Sequence, residues 1–349
     1  MIARSFTSHF LQPAILCLLA LWVAGCSVSE PPEDQFHSFN GPTMGTWYNV
    51  KIQGMPGTLS GDAVKQAIQA ELDDVNEKMS TYRQDSELSL FNRAPIGESF
   101  TFSPSTRQVL SIALEIYQAS GGAFDVTVGP LVNLWGFGPE TKEDSVPDAA
   151  DIQRLLREVG SDALRVEGDQ VVRERPVNVD LSAVAKGYAV DRVAERLESL
   201  GISRYMVEVG GEIRVGEAKR SGEGWNIAIE EPTTQARVVQ KVLSLRGVAL
   251  ATSGDYRNFY EIDGRRYSHT IDPRTGSPVN HTLASVSVIH ESCAYADAYA
   301  TALNVMGPEA ALKLAETLNL AVYLLVKTPS GFDVLQSESL SDYVEPPGV

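Results

Sequence analysis

The sequence predicts an α+β fold in which antiparallel sheets pack against helices. Two observations carry this prediction. Apolar residues recur at helical spacing in several segments, and pairs of short apolar runs flank turn-forming residues, as they do in β-hairpins. Strands joined by tight turns pair antiparallel, whereas a doubly wound parallel sheet needs a crossover, usually a helix, between strands. Helices covering an antiparallel sheet are therefore expected.

The helices follow from apolar spacing together with capping and stop residues. Ser103 is a favourable N-cap, Pro104 follows it at the first turn, and Gly121-Gly122 ends the helix. Small residues with a regular apolar face predict a further helix around Asp297. The remaining predicted helices combine an apolar face with a stop signal, and they cover residues 62–79, 151–159, 182–200 and 308–318.

The hairpins follow from apolar runs that end on turn residues. Gly168-Asp169, Gly210-Gly211 and Asp263-Gly264 each separate two such runs, and Pro329-Ser330-Gly331 separates a fourth pair. The predicted strand pairs are 163–166 with 171–173, 205–209 with 212–215, 259–262 with 266–268, and 322–326 with 332–335.

The first 25 residues form a processing signal. Arg4 supplies positive charge, and the apolar run 15–22 that follows is shorter than the roughly 20 residues that a membrane-spanning helix needs. Val23-Ala24-Gly25-Cys26 resembles a bacterial lipobox, in which Cys26 becomes a lipidated N-terminus; an ordinary secretory signal is the alternative. We then expect a polar stalk over 26–40, one folded unit over 41–335, and a polar, poorly ordered tail over 336–349.

Charge and cysteine content exclude several classes of protein. The chain has 29 basic and 45 acidic side chains, a formal net charge of −16, so it lacks the clustered basic face of a nucleic-acid-binding protein. An anionic ligand would need a metal ion, a helix N-terminus or locally placed Lys and Arg. Of the three cysteines, Cys293 alone stays free after processing. A disulfide framework is therefore excluded, and Cys293 is predicted to be a small buried residue.

Asp297 and Thr301 are candidate ligands of a metal ion. Their spacing of four residues places both on one face of the predicted helix, one turn apart. Carboxylate and hydroxyl oxygens suit a hard cation such as Mg²⁺, and the small neighbours leave the backbone open to approach. Two structural alternatives remain: an Asp near a helix start can stabilise the helix dipole, and a Thr inside a helix can bond back to its own backbone.

Two further segments contain groups that could bind a phosphate or accept a proton. A strand runs into a helix start at Asp180, where free backbone amides favour a phosphate and Lys186 could add charge; Ser182 as an ordinary N-cap is the alternative. His269 lies between a strand and a Pro/Gly turn and is a candidate general base. We interpret the other four histidines as structural or surface residues.

Aromatic residues beside glycines suggest a site for a planar ligand. Phe124 follows Gly121-Gly122, and Trp135 and Phe137 alternate with Gly136 and Gly138. These rings could stack on a flat ligand or could cover the core in a bent loop. Tyr82, at a helix end, leaves the same two alternatives.

Taken together and in order, these motifs resemble those of the ApbE-type FAD:protein FMN transferases, once labelled thiamine-biosynthesis lipoproteins. The resemblance covers residues 41–318. The motifs are the lipobox, Thr43-Met44-Gly45-Thr46, Met79-Ser80-Thr81-Tyr82, Ala123-Phe124-Asp125, Asp180-Leu181-Ser182 with Ala185-Lys186-Gly187, Thr252-Ser253-Gly254, His269-Thr270-Ile271-Asp272-Pro273 with Thr275-Gly276, and Ala296-Asp297-Ala298 with Ala300-Thr301.

The resemblance implies a T-fold-like architecture and Mg²⁺-dependent transfer of FMN from FAD, through a phosphoester, to a threonine of a periplasm-facing protein. Implied targets are subunits of the sodium-pumping NADH:quinone reductase and related electron-transfer complexes. Asp297, Thr301 and the Ala183 carbonyl would hold the metal ion, and His269 would be the base. The residues implied around FAD are Met44, Tyr82, Ala123, Phe124, Asp125, Asp180, Lys186 and Ile271.

The chain departs from the family pattern at three positions. Some members have Glu in place of Lys186, and many have smaller or different residues at Tyr295 and Tyr299, which predicts a reshaped pocket rim. An FAD pyrophosphatase, with water replacing the acceptor hydroxyl, and a non-catalytic FAD-binding lipoprotein are the alternative functions. We expect the folded part to face the periplasm from a lipid anchor, at either the inner or the outer membrane.

Overall fold

A computed structural model describes residues 35–138, 145–232, 238–254 and 258–343 of the chain. The predicted processing signal and Cys26 lie outside the described residues. Among those that are described, no helix is long and apolar enough to span a lipid bilayer.

The helices lie close to their predicted positions. Ser60 and Ser103 cap the first and third helices with their side chains, and Pro104 opens the third, as expected for these residue types. The α-helices are α1 (Gly61–Met79), α2 (Glu87–Arg93), α3 (Pro104–Ala119), α4 (Gly129–Leu134), α5 (Ala149–Leu156), α6 (Ser182–Ser199), α7 (Cys293–Met306) and α8 (Pro308–Leu318), with 3₁₀ turns at Ser161–Ala163 and Glu338–Tyr343.

All four predicted hairpins are present, with strand ends shifted by one or two residues. The strands are β1 (Phe36–Thr43), β2 (Thr46–Gln53), β3 (Ser99–Thr101), β4 (Leu164–Glu167), β5 (Gln170–Arg173), β6 (Tyr205–Val209), β7 (Glu212–Val215), β8 (Trp225–Glu230), β9 (Val239–Leu245), β10 (Ala249–Gly254), β11 (Phe259–Ile262), β12 (Arg265–Ser268), β13 (Ile271–Asp272), β14 (Ser277–Pro278), β15 (Leu283–His290), β16 (Ala321–Thr328) and β17 (Gly331–Gln336).

One large antiparallel sheet organises the molecule. Its eight strands follow the order β1-β2-β6-β7-β10-β15-β16-β17, and every neighbouring pair is antiparallel. Successive side chains on β16 point to opposite faces, so Val322 and Leu324 pack under the helices while Tyr323 and Leu325 face the β8–β9 hairpin. The sheet is therefore buried on both faces, and the predicted fold class is confirmed.

Helices α6 and α7 cross on the sheet at Gly187. A Cβ atom on Gly187 would lie 2.3 Å from the carbonyl oxygen of Cys293 and 2.8 Å from Cβ of Asp297. Contacts that short are repulsive, so the two backbones approach this closely only because Gly187 has no side chain. Cys293 is fully buried at the crossing, as predicted, and burial raises the pKa of its thiol well above the usual range.

A small separate core supports the chain on one side of the sheet. Trp135 stacks on Tyr267 with ring centroids 5.6 Å apart, and Phe137 stacks on Tyr260 at 5.2 Å. The indole of Trp135 also donates to the Gly276 carbonyl at 2.8 Å. We call this group, with Leu131, Val159 and Ile271, the satellite core. Of the two alternatives for these aromatics, covering a core is therefore correct.

The predicted boundaries at both ends need correction. Residues assigned to the stalk belong to the sheet from Phe36 onward, because β1 pairs along its whole length with β2. Residues assigned to a poorly ordered tail form the turn Glu338–Tyr343, whose Leu340 is buried against the sheet. Polar composition misled the prediction at both ends, since an edge strand and a short 3₁₀ turn need few apolar residues.

Replacing Gly187 by alanine tests the helix crossing. The Gly187→Ala side chain meets backbone atoms that cannot rotate away, so we expect a loss of about 1–3 kcal/mol in the free energy of unfolding, measured by urea denaturation. Gly57→Ala is the matched control, since a Cβ atom there meets nothing within 4 Å. Equal stability of the two variants would contradict a tight crossing.

Candidate active site

A cavity of about 950 Å³ lies where the α6 N-terminus, α7 and several hairpin turns meet. Its volume is at the upper end of the usual range for small-molecule sites. Ten of the twelve residues proposed above for catalysis, metal binding and FAD binding line it: Ala123, Phe124, Asp125, Asp180, Ala183, Lys186, His269, Ile271, Asp297 and Thr301. The two that do not are Met44 and Tyr82.

Asp297 is a buried carboxylate on the cavity wall, 6% exposed. Its Oδ2 accepts a hydrogen bond from the Gly187 amide at 3.0 Å across the helix crossing. Burial raises the pKa of Asp297 to about 7; Glu212 raises it further, while Lys186 and the Gly187 amide oppose the shift. A carboxyl group in this state is costly to ionise unless a positive charge lies close to it.

The α7 N-terminus is fixed by Asp191 of α6, which the sequence analysis missed. The Asp191 carboxylate accepts from the amides of Cys293 and Ala294, both at 3.0 Å, from the Ser292 hydroxyl at 2.7 Å, and from Arg214 at 2.8 Å. A carboxylate on the first amides of a helix is a strong cap. Asp191 thus sets the position of Asp297, one turn further along α7.

Three residues that line the cavity could supply oxygen ligands to a hard cation: Asp297, Thr301 and Ala183. The Asp297 carboxylate accepts from the Gly187 amide, one turn along α6 from Ala183, so it lies close to the first turn of that helix. In the described part of the chain, no cluster of three or more His, Cys, Asp or Glu side chains forms a self-sufficient metal site.

Lys186 and Glu212 form an ion pair beside Asp297. The Lys186 ammonium donates to Oε1 of Glu212 at 2.7 Å, and the Glu212 side chain is 5% exposed. Burial opposes the charge of Lys186, but attraction to Glu212 and Asp297 outweighs it and raises the pKa of this lysine. Lys186 therefore stays protonated and is the positive charge nearest to two buried acids.

Ser182 is not the N-cap of α6 that one of the two alternatives had predicted. Leu181 is the N-cap and makes no side-chain cap, while Ser182 is the first helical residue. The Asp180 carboxylate accepts from the Ser182 amide at 2.9 Å and from its hydroxyl. Asp180 thus occupies one of the amides that were expected to meet a phosphate.

Asp125 organises the loop beside the cavity. Its carboxylate accepts from the amide and hydroxyl of Thr127, at 2.8 and 2.6 Å, and from the amide and hydroxyl of Ser161, at 3.1 and 2.7 Å. With four donors in place, Asp125 acts chiefly as a support for the Ala123–Phe124 wall.

His269 lies between β12 and β13 with a defined orientation. Its Nδ1 is 3.0 Å from the Asn258 carbonyl oxygen, and its ring meets Phe137 of the satellite core edge-on. A carbonyl oxygen can only accept, so Nδ1 carries the proton and the lone pair of the neutral ring is on Nε2. The ring is thereby prepared to take up a proton at Nε2.

Four predicted features lie outside the cavity lining. Met44 has a positive φ of 46° in the turn between β1 and β2, and Tyr82 is 75% exposed, so it does not cover the core. Tyr295 donates to Glu115 at 2.7 Å and stacks on His290, and Tyr299 is buried. Neither tyrosine lines the cavity, so their effect on its rim stays a prediction.

Strands β2, β6 and β7 contribute a polar wall that was not predicted. Asn49, Glu208 and Glu212 line the cavity together with Trp47, which is 62% exposed. The Gly210-Gly211 pair was interpreted only as a hairpin turn. Two glutamates flanking a diglycine, in a chain whose ligand needs hydrogen-bond partners, were the available signal.

Comparison with known proteins gives one consistent family. Residues 44–324 match the model of the ApbE family. The FAD:protein FMN transferase of Vibrio cholerae is 46% identical over 325 residues, which cover 93% of this chain and 96% of that protein. The Escherichia coli K12 protein of the same name is 37% identical over 345 residues, covering 96% and 97%.

Solved structures agree with the sequence comparison. The flavin transferase ApbE from Vibrio cholerae superposes with a TM-score of 0.83 at 45% identity, covering 89% of this chain and 99% of that one. The apo form of the Pseudomonas stutzeri flavinyl transferase ApbE gives 0.83 at 39% identity, covering 89% and 97%.

The raised pKa of Asp297 predicts a pH-dependent effect of Asp297→Asn on stability. The folded protein binds this proton more tightly than the unfolded chain, so the stability contributed by the protonated form is present near pH 4 and lost as pH rises to about 7. In the absence of metal, the free energy of unfolding of Asp297→Asn, relative to that of the parent protein, should rise by up to about 4 kcal/mol between pH 4 and pH 7. Urea denaturation in EDTA at pH 4.5, 6 and 7.5 measures this; a constant difference would contradict the raised pKa.

Proposed function

The chain belongs to the ApbE family, and we propose that it transfers FMN from FAD to a threonine hydroxyl of a target protein, with Mg²⁺ as cofactor and AMP as the product released. The observation that carries this proposal is Asp297, a buried carboxylate in a large cavity that Thr301 and Ala183 also line. The related FAD:protein FMN transferases support FAD as the substrate.

Asp297, Thr301 and the Ala183 carbonyl would hold the ion. A Mg²⁺ ion bound there would neutralise phosphate charge and polarise the phosphorus atom that is attacked. Lys186 would contribute a second positive charge, held in place by its ion pair with Glu212. Asp191 and Gly187 fix the geometry by holding α7 against α6.

Transfer replaces one phosphorus–oxygen bond by another. The threonine Oγ forms a bond to the phosphorus of the FMN half of FAD, and the bond from that phosphorus to the bridging oxygen breaks. The bridging oxygen leaves with AMP, and Nε2 of His269 accepts the threonine proton. Removing the proton as the hydroxyl attacks typically contributes about 10²–10⁴-fold to the rate.

We further propose that the protein acts at the periplasmic face of a bacterial membrane, anchored through lipidated Cys26. The lipobox-like sequence at 23–26 supports this. Suitable targets are subunits of the sodium-pumping NADH:quinone reductase or related electron-transfer complexes, which present a threonine to the same compartment. Mass spectrometry of the N-terminal peptide from the membrane fraction would detect the lipid.

Mass measurement of an acceptor domain tests the transferase. Incubation with FAD, Mg²⁺ and this chain should add one FMN, less one water, to the acceptor, and EDTA should prevent it. Asp297→Ala should reduce the adduct by at least about 10²-fold, because the ion would lose its only charged protein ligand. Undiminished transfer would contradict the metal assignment. Free FMN and AMP without an adduct would instead indicate a pyrophosphatase, and neither product a binding protein.

His269→Ala separates proton transfer from binding. We expect the rate of FMN transfer to fall by about 10²-fold or more, with FAD affinity, measured by flavin fluorescence, within about twofold of the parent. His290→Ala is a control histidine outside the cavity. A large loss of FAD affinity in the His269 variant would make His269 a binding residue and not the base.

A further inference from the structure

Glu212 has a carboxylate oxygen that no group in the described protein satisfies. Oε1 accepts from Lys186 at 2.7 Å, whereas Oε2 is buried and has no hydrogen-bond partner. Leaving a buried acceptor unpaired is costly, and a charged one costs more. Most such atoms find a partner, so an orphaned oxygen on a cavity wall points to a ligand.

The position of Oε2 limits what that ligand can be. A Cβ atom on Gly210 would lie 3.5 Å from Oε2 and 3.4 Å from Oγ1 of Thr46, so Oε2 lies at the junction of the β6–β7 and β1–β2 turns. Glu212, Thr46 and Gly210 all line the same cavity as Asp297. The Glu212 side chain is thus part of the active-site wall, and a ligand reaches its buried Oε2 when the adjoining turns move slightly apart.

The chemistry of Oε2 selects a neutral hydrogen-bond donor. An ionised carboxylate can only accept, and it repels phosphate oxygens. Lys186 pairs with Glu212 and is attracted to Asp297, so Glu212 lies about one lysine side chain from the place where the pyrophosphate of FAD would bind. The groups of FAD nearest to its pyrophosphate that can donate are sugar hydroxyls: those of the ribityl chain on one side and of the ribose on the other.

We propose that Oε2 of Glu212 accepts a hydrogen bond from a hydroxyl group adjoining the pyrophosphate of FAD, and that Glu212 is a substrate-binding residue. The inference rests on FAD being the substrate, as proposed above. It gives Glu212 two tasks, since Oε1 holds Lys186 beside the phosphates while Oε2 recognises the sugar chain next to them.

The neighbouring Glu208 provides a comparison. It lines the same cavity, but Oε2 already accepts from Asn49 at 2.8 Å and Oε1 from the Gly211 amide at 3.2 Å. Removing either glutamate charge should help an anionic ligand on electrostatic grounds alone. A loss of affinity specific to Glu212 therefore cannot come from net charge.

Binding titrations of the full chain with Mg²⁺ test the proposal. Glu212→Gln, which keeps the size of the side chain, should weaken FAD binding about 10- to 100-fold, the range expected for a hydrogen bond to a charged group. Inorganic pyrophosphate, which has no sugar hydroxyl, should bind the variant as well as the parent or better. Glu208→Gln should weaken FAD binding less than Glu212→Gln does, because both Glu208 oxygens already have protein donors. Unchanged FAD affinity in Glu212→Gln, or equal losses for FAD and pyrophosphate, would overturn the proposal.

Ligands that lack the hydroxyls test the same bond in the unmutated protein, whatever the stability of the variant. If the ribityl chain is the donor, FMN should bind more tightly than a flavin phosphate on a plain alkyl chain. If the ribose is the donor, AMP should bind more tightly than 2′,3′-dideoxy-AMP. Equal affinity within both pairs would overturn the proposal. A hydroxyl preference with no FMN transfer would refute the proposed function and leave this inference intact.

Discussion

The close crossing of α6 and α7 is the constraint on which the site depends. Gly187 lets the two backbones meet, and Asp191 of α6 binds the first amides of α7, so two points four residues apart fix one helix on the other. The same contact turns the Gly187 amide towards Asp297. Packing, capping and the placement of an ionisable group are thus one arrangement, and the site cannot be altered without disturbing the core.

Local charge explains how so acidic a chain can accommodate a dianionic substrate. Two buried acids, Asp297 and Glu212, adjoin the ammonium of Lys186, and burial raises the pKa of both, so the site alone has no excess of positive charge for an anion. A divalent cation would supply that charge, so cation and FAD should each strengthen the binding of the other, as linkage requires. The overall charge of −16 then disfavours anions everywhere else on the surface.

Periodicity and turn residues were sufficient to predict most of the fold, because helices such as α1 and hairpins such as β6–β7 are determined by short-range patterns. Polar segments were predicted less well: β1 and the C-terminal turn are stabilised by neighbours far along the chain. The site was predicted through its resemblance to a family. As in the fold, residues in local motifs were predicted, whereas residues that act through distant contacts were not. Asp297 and His269 belong to recognisable local motifs, whereas the roles of Asp191 and Glu212 arise from contacts about 100 and 26 residues away.

The satellite core has a consequence for the local stability of the site. His269 is held by Asn258 and Phe137 beside this small cluster, while Asp297 belongs to the large core under the sheet. Proteins open locally in cooperative units, and small units open more readily than large ones. An opening confined to the satellite core would therefore move His269 and leave Asp297 in place. The two residues that the proposed reaction needs together thus belong to parts of the molecule with different local stability.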